Sequence, residues 1–101
     1  MIVRRWLAPL VPNKEQIENM FEKDDLEYFE ENFPPGAKIN KHRHPFDEIR
    51  MIVKGEILYN VSGNKILLRP GDKIVVPSNT LHSKTVLKDE TCYSICSYEA
   101  H

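Results

Sequence analysis

Three histidines and a glutamate in the sequence have the residue types of metal ligands. His42 and His44 are two residues apart, so on a β-strand both side chains project from the same face. Two imidazoles on one face can share an ion, since each needs to approach it to about 2.0–2.1 Å. Glu48 follows beyond Pro45 and can supply an oxygen ligand from the adjacent element. His82 is distant in sequence, and only the fold can bring it to this site. The pattern indicates a metal site, with an ordinary surface pair of histidines as the alternative.

Arg50 follows two residues after Glu48, so in a strand it shares the face of that candidate ligand. A guanidinium pointing into a protein interior costs free energy unless an anion meets it. A substrate carboxylate, enolate or phosphate would meet that need, which makes Arg50 a candidate for orienting an anion. Pairing with Glu48, Asp47 or another internal acid is the alternative.

Four further side chains are candidates for lining a pocket beside these residues: Ile52, Tyr59, Cys96 and Tyr98. Ile52 continues the strand face of Glu48. Tyr59 and Tyr98 each offer a phenol group, and Cys96 alternates with Tyr98 on one face of the last predicted strand. Ordinary packing in the core is the alternative for these side chains.

The elements that must position these residues are short strands separated by turn residues. Asn13, with Gln16 three residues later, has the pattern of a helix capping box and predicts a helix over about 14–24. Turn signals such as Ser62-Gly63-Asn64 separate the β-prone runs. We expect strands over 2–7, 26–33, 37–41, 48–54, 56–61, 65–68, 73–76, 82–87 and 91–98. This spacing predicts an all-β fold, a small sandwich or barrel, with a short N-terminal helix.

Glycines and a proline extend the ligand pattern into two longer motifs. The first is Gly36-x5-His42-x-His44-x3-Glu48-x6-Gly55, and the second is Gly71-x5-Pro77-x4-His82. The first resembles in full, and the second in part, the two signatures of the cupin family. Asn79 stands where the family usually has Gly, which is a mild change because Asn tolerates left-handed backbone. Val86 stands where the family often has Asn, at a position that is not a metal ligand.

The resemblance covers about residues 26–98 and implies a small single-domain cupin over 1–101, with a strand and a helix in 1–25. The implied fold is the cupin-type double-stranded β-helix, a jelly-roll barrel. It also implies that the barrel holds a divalent transition metal (Fe, Mn, Ni, Co, Cu or Zn), bound by His42, His44, Glu48 and His82. An octahedral ion so held would keep two positions for water or substrate. The run from His42 to Arg50 also resembles acireductone dioxygenases, longer cupins whose Arg is thought to hold an anionic substrate.

Three functions remain open on this basis. The first is a small-molecule metalloenzyme, dioxygenase-like or isomerase-like, in which the ion polarises an oxygen-bearing anion. The second is a non-catalytic cupin that binds or senses a small molecule. The third is a barrel or metal kept for stability alone. Turnover distinguishes the first from the second, and the sequence identifies no separate general base.

The composition excludes several other classes. The chain has 101 residues, with 14 basic and 15 acidic side chains, so it lacks the basic footprint of a nucleic-acid binder. Its apolar runs are far shorter than the roughly 20 residues of a membrane span. On one strand Cys92 and Cys96 would be roughly 13 Å apart, too far for a disulfide. No targeting segment is visible, so we expect a cytoplasmic protein.

The cupin resemblance also implies a homodimer. In cupins an N-terminal strand often crosses to a second subunit, and Trp6 and Leu7 lie in the corresponding predicted strand. These two side chains are therefore candidate anchors of a dimer interface. Packing in the core of their own chain is the alternative.

Overall fold

In a computed structural model, residues 1–100 are described, and His101 lies outside them. These residues form one helix and a series of short strands. The elements are β1 (Ile2–Arg4), α1 (Lys14–Lys23), β2 (Phe29–Phe33), β3 (Lys38–His42), β4 (Phe46–Lys54), β5 (Ile57–Val61), β6 (Asn64–Leu68), β7 (Lys73–Val76), β8 (His82–Val86) and β9 (Cys92–Ala100). The predicted all-β class with a short N-terminal helix is confirmed. The described helix is too short and too polar to cross a membrane.

The strands form two antiparallel sheets whose inner faces pack against each other. One sheet has the order β1-β7-β4-β9-β2, and the other has the order β3-β8-β5-β6. The inward side chains of β4 change from the polar Glu48 and Arg50 to the apolar Ile52. The buried apolar core around Ile52 comprises Ile57, Tyr59, Val61, Leu68, Ile74, Val76, Val86 and Cys92. Apolar packing on both sheets therefore supports the polar positions of β4 from one side.

Helix α1 covers part of the outer face of the five-stranded sheet. Its N-terminus is the predicted capping box, since the Asn13 side chain accepts from the Gln16 amide and the Gln16 side chain accepts from the Asn13 amide. Ile17 of the helix is buried beside Met51 of β4. Phe21 and Ile95 belong to the same cluster. Successive residues of β4 thus alternate between the barrel interior and the layer beneath the helix.

Two turns have backbone conformations that their residues favour. Ser62 and Gly63 connect β5 to β6 with φ angles of 50° and 88°, as a two-residue hairpin turn requires. Asn79 has a φ of 59°, so the residue in the place of the family's Gly does adopt left-handed backbone. The backbone N–H of Asn79 donates to the backbone carbonyl oxygen of His44 over 2.8 Å. This hydrogen bond ties the loop before β8 to the segment that carries a candidate ligand.

The end of β1 and the start of β2 differ from the predicted strand boundaries. Strand β1 ends at Arg4 because the Trp6 amide donates to the Asp72 side chain, 2.9 Å away, and not to a neighbouring strand. Strand β2 begins only at Phe29 because the preceding chain still makes hydrogen bonds to the end of α1. Leu7 is 90% exposed, so the core alternative is wrong for this residue.

Candidate metal centre

Three histidines come together at the edge of the barrel. His42 is the last residue of β3 and lies opposite His82, the first residue of β8, in the strand register. His44 lies in the short connection to β4. One potential ligand atom from each ring lies within 4.8 Å of the other two. The fold therefore supplies the third histidine that sequence spacing alone could not place.

Each of these rings is held in the same way by a backbone carbonyl group. The Nδ1 atoms of His42, His44 and His82 lie 2.8 Å from the carbonyl oxygens of Asn40, Phe46 and Thr80, respectively. A carbonyl oxygen only accepts, so Nδ1 of each ring carries the proton. In a neutral ring Nε2 is then left with a lone pair for a ligand. Within the described residues, the buried Nε2 atom of His82 makes no hydrogen bond.

Glu48 lies directly beside this cluster and is fully buried. Its Oε1 atom is 3.3 Å from Nε2 of His44 and 3.4 Å from Nε2 of His82. With both rings neutral, this carboxylate oxygen faces two nitrogen lone pairs, and a cation between them stabilises that arrangement. The donor set of imidazole nitrogen and carboxylate oxygen suits a divalent transition metal. The residues present thus fit the implied ion, and ligation by Glu48 stays a prediction.

Three donors hold the other side of the Glu48 carboxylate. Nζ of Lys84 lies 3.2 and 3.1 Å from its two oxygens, and Nε of Arg50 lies 3.2 Å from Oε2. The hydroxyl of Tyr59 also donates to Oε2. Burial acts to raise the pKa of Glu48, but the positive charges of Arg50 and Lys84 and the hydrogen bond from Tyr59 outweigh it. The pKa of this carboxyl is therefore well below its ordinary value, and the group is ionised.

Arg50 adopts the alternative in which it pairs with internal acids. Its guanidinium is fully buried and contacts Glu48, Glu31 of β2 at 2.7 Å and Ser94 of β9 at 2.8 Å. Its Nε atom also donates to the Tyr59 hydroxyl over 2.7 Å. The side chain is thus engaged on all sides by the protein itself. A role in orienting a substrate anion stays a prediction.

Lys84 is a member of this site that the sequence interpretation missed. It is 4% exposed, and its ammonium lies 5.8 Å from the ring centre of Phe33 and 5.5 Å from that of Tyr59. Burial and the charge of Arg50 lower its pKa from the ordinary value. The signal was present in the sequence, because Lys84 is two residues from His82 and so shares its strand face.

The four pocket candidates lie in different surroundings. Ile52 is part of the apolar core, and Tyr59 is buried with its hydroxyl on Glu48. Cys96 is buried opposite Arg50 in the strand register, and burial raises the pKa of its thiol to about 12. Tyr98 is 41% exposed, and its ring centre is 5.8 Å from that of His44. Of the four, Tyr98 is the one that flanks the histidines from the solvent side.

An aromatic surface continues outward from the centre. Phe46 stacks on His44 with ring centres 4.2 Å apart and an angle of 3° between the planes. The ring of Tyr98 lies 4.6 Å from that of Phe46 and 5.2 Å from that of Phe29. These three aromatic side chains form what we term the aromatic wall.

The two cysteines are both free, in agreement with the predicted absence of a disulfide.

Two antiparallel sheets that enclose three histidines and a glutamate form a cupin-type barrel with a candidate metal site. Residues 29–98 match the family described as Cupin domain, and the chain belongs to this family. An RmlC-like cupin from Shewanella frigidimarina is 25% identical, with a TM-score of 0.66 over 75% of this chain and 67% of that one. KdgF from Halomonas sp. is 27% identical, with a TM-score of 0.65 over 75% of this chain and 70% of that one. The jelly-roll fold implied by the sequence motifs is confirmed.

Curated relatives resemble this chain over a part of their length. Acireductone dioxygenase from Bacillus licheniformis is 37% identical in an alignment of 60 residues that covers 54% of this chain and 34% of the relative. Oxalate oxidase 1 from Hordeum vulgare is 31% identical in an alignment of 78 residues that covers 68% of this chain and 39% of the relative. The predicted likeness to acireductone dioxygenases is thus confirmed as a similarity of sequence.

Proposed function

We propose that this protein is a metal-dependent cupin that binds a small oxygen-bearing anion and transforms it. The observation that carries the proposal is the buried Nε2 atom of His82, which makes no hydrogen bond within residues 1–100 and faces the Glu48 carboxylate. In this proposal His42, His44, His82 and Glu48 hold the ion. A divalent transition metal at this place supplies a Lewis acid, or a redox centre if it is Fe, Mn, Ni or Cu.

Charge balance supports an anionic ligand. The buried carboxylate of Glu48 and the partly exposed carboxylate of Glu31 offset the buried cations Arg50 and Lys84. A divalent ion adds two positive charges to this balanced set, and a negatively charged ligand stabilises that excess in a medium of low dielectric constant. The relatives named as acireductone dioxygenase and oxalate oxidase make a dioxygenase-like or isomerase-like reaction the natural class to test.

A non-catalytic binding cupin is the second candidate, and one observation favours it. A proton-transferring enzyme needs a base near the ligand, and the buried Tyr59 and Cys96 beside the centre both hold their protons near neutral pH. Burial raises the pKa of Tyr59 well above 10 and that of Cys96 to about 12. Neither group acts as a base near neutral pH, so retention of a ligand without turnover is the competing function.

Elemental analysis by plasma mass spectrometry tests the metal-dependent function. The gently purified protein is compared with a His42→Ala, His82→Ala double variant and with Arg43→Ala, an exposed neighbour that serves as the control. We expect near-stoichiometric metal in the parent and the control, and none in the double variant. Oxygen consumption is then measured for a redox-active ion, and isomerase activity for zinc. A parent that stays empty after exposure to each candidate ion would contradict the proposal.

We also propose that the protein is a cytoplasmic homodimer. Apolar side chains are exposed along the N-terminal segment, among them Ile2, Leu7 and Leu10. Their burial against a second copy would remove apolar surface from water, which drives association. The proposed location rests on the two buried free thiols, which suit a reducing compartment.

A further inference from the structure

Lys84 places an ammonium group inside the barrel on the same carboxylate that faces the histidines. Its Nζ atom lies 3.2 Å from Oε1 and 3.1 Å from Oε2 of Glu48. Oε1 is also the atom that lies 3.3 Å from the Nε2 atom of His44 and 3.4 Å from that of His82. An ion that takes Oε1 as a ligand therefore meets a positive charge already bound to that oxygen.

Lys84 differs from Arg50 in how firmly it is held. The Arg50 guanidinium contacts Glu48, Glu31, Ser94 and Tyr59, and these partners use its donors in several directions. Across the described residues, Glu48 is the single polar partner of the Lys84 ammonium. An ammonium has three N–H donors, so one N–H of Lys84 remains available for another acceptor. Its other contacts are with the faces of aromatic rings, which tolerate a shift of the cation.

We propose that Lys84 is a specificity-determining residue of this centre, whose ammonium competes with the metal ion for Glu48 and then binds the anionic ligand. The inference rests on the proposed metal site. If an ion were held by Glu48, the hydroxyl of Tyr59 and the Nε atom of Arg50 would still hold Oε2. The displaced ammonium would then be a cation without its counter-ion, and an anion bound beside it would offset both positive charges. Metal and anion consequently strengthen each other's binding, and this coupling is reciprocal.

Competition with a chromophoric zinc chelator measures the coupling directly. The Kd for Zn²⁺ is determined near neutral pH with and without acetate, which serves as the probe carboxylate, after correction for zinc bound by acetate in solution. The variants are Lys84→Met, which removes the charge at similar length, and Lys84→Arg, which keeps it. Lys65→Met, at an exposed position of β6, is the matched control.

We expect the parent and Lys65→Met to bind Zn²⁺ at least about tenfold more tightly when acetate is saturating. Lys84→Met should bind Zn²⁺ at least about tenfold more tightly than the parent in the absence of acetate, because a like charge has been removed. Acetate should then change its Kd by less than about twofold. Lys84→Arg should keep the weaker zinc affinity and the response to acetate.

Two results would overturn the inference while leaving the metal site intact. One is a folded Lys84→Met protein whose zinc affinity equals or falls below that of the parent. The other is a parent whose zinc affinity does not respond to acetate. If Lys84→Met does not fold, Lys84→Gln keeps a polar contact with Glu48 without the charge and carries the same expectations. Failure of the parent to bind any ion contradicts the proposed function instead, so the two failures are distinguishable.

Discussion

The Oε1 atom of Glu48 lies 3.4 Å from the Nε2 atom of His82, inside a barrel where both residues are buried. Opposite this contact, the same carboxylate is held by Arg50 and Lys84. Glu48 is thus a shared partner of the candidate metal ligands and of two buried cations. Removal of its charge would therefore affect both groups.

Glu48→Gln should destabilise the metal-free protein by about 3–5 kcal/mol, because it leaves two buried cations without their common counter-ion. Urea unfolding without metal measures this loss. Glu27→Gln, at an exposed position, is the control and should change the free energy of unfolding by less than about 0.5 kcal/mol. If the two variants were equally stable, Glu48 would not be the main electrostatic partner of these cations.

Metal binding should stabilise the folded chain through the histidines. With free Zn²⁺ at about 100 times its Kd, the free energy of unfolding should rise by about 2.7 kcal/mol, and a chelator should reverse the change. His44→Ala should lose most of this response, because one imidazole ligand is absent. Thermal melting with and without Zn²⁺ gives the shift, and an unchanged shift in His44→Ala would remove that residue from the ligand set.

Asp72 should make the stability depend on pH in the acidic range. Burial acts to raise its pKa, but hydrogen bonds from the Trp6 and Arg69 amides and the charge of Arg5 outweigh this and lower the pKa below 3.8. The folded-state pKa is below the unfolded one, so the carboxylate stabilises the fold above about pH 4 and loses this effect as the pH falls. Asp72→Asn should therefore cost about 1–3 kcal/mol at neutral pH and much less near pH 2.5.

Urea unfolding at both pH values checks this sign, with Asp89→Asn at an exposed position as the control. The control should stay close to the parent throughout. A gap between Asp72→Asn and the parent that widens as the pH falls would contradict the assignment.

Gly55 and Gly63 have similar backbone conformations, so alanine substitutions at these two sites distinguish the cost of backbone strain from the cost of a steric clash. Gly55 has a φ of 82° and Gly63 a φ of 88°, so alanine at either site carries the cost of left-handed backbone, about 1–2 kcal/mol. A Cβ at Gly63 meets nothing within 4 Å, whereas a Cβ at Gly55 meets the carbonyl oxygen of Thr91 and lies 3.0 Å from Cα of Cys92. Gly55→Ala should therefore be the more destabilising by at least about 1 kcal/mol in chemical unfolding. Equal losses of stability in the two variants would show that the start of β9 moves away from the added methyl group at little cost.

The proposed dimer predicts a specific sensitivity in the N-terminal segment. Leu7→Glu places a charge on a residue that is 90% exposed, so it should leave the fold of the subunit intact. If Leu7 anchors an interface, analytical ultracentrifugation should show the mass fall to that of one chain. Leu87→Glu, a change at an exposed residue elsewhere, should remain dimeric. A monomeric parent would contradict the dimer itself.

Sequence patterns predicted the barrel well because short strands separated by turn residues leave few alternatives. The resemblance to the cupin signatures grouped His82 with His42 and His44, which spacing alone could not do, and the three histidines do lie together. Local spacing could not show that Arg50 is committed to internal partners, since Glu31 contacts it from a distant strand. It could have indicated Lys84, which shares the strand face of His82. A lysine is rarely predicted to be buried unless its partner is known, and the partner of Lys84 is Glu48, which lies 36 positions away in the sequence.

The pairing of β3 with β8 has a consequence for the order of events as the chain folds. His42 and His82 face each other in this ladder, although the whole of β4 to β7 lies between them along the chain. Such long-range pairing forms slowly, on the scale of milliseconds to seconds in comparable β-barrels. A chain that has not closed this ladder presents only the neighbouring pair His42 and His44. Metal capture would thus be a late event that reports completion of the barrel, and metal added during refolding should leave the folding rate unchanged.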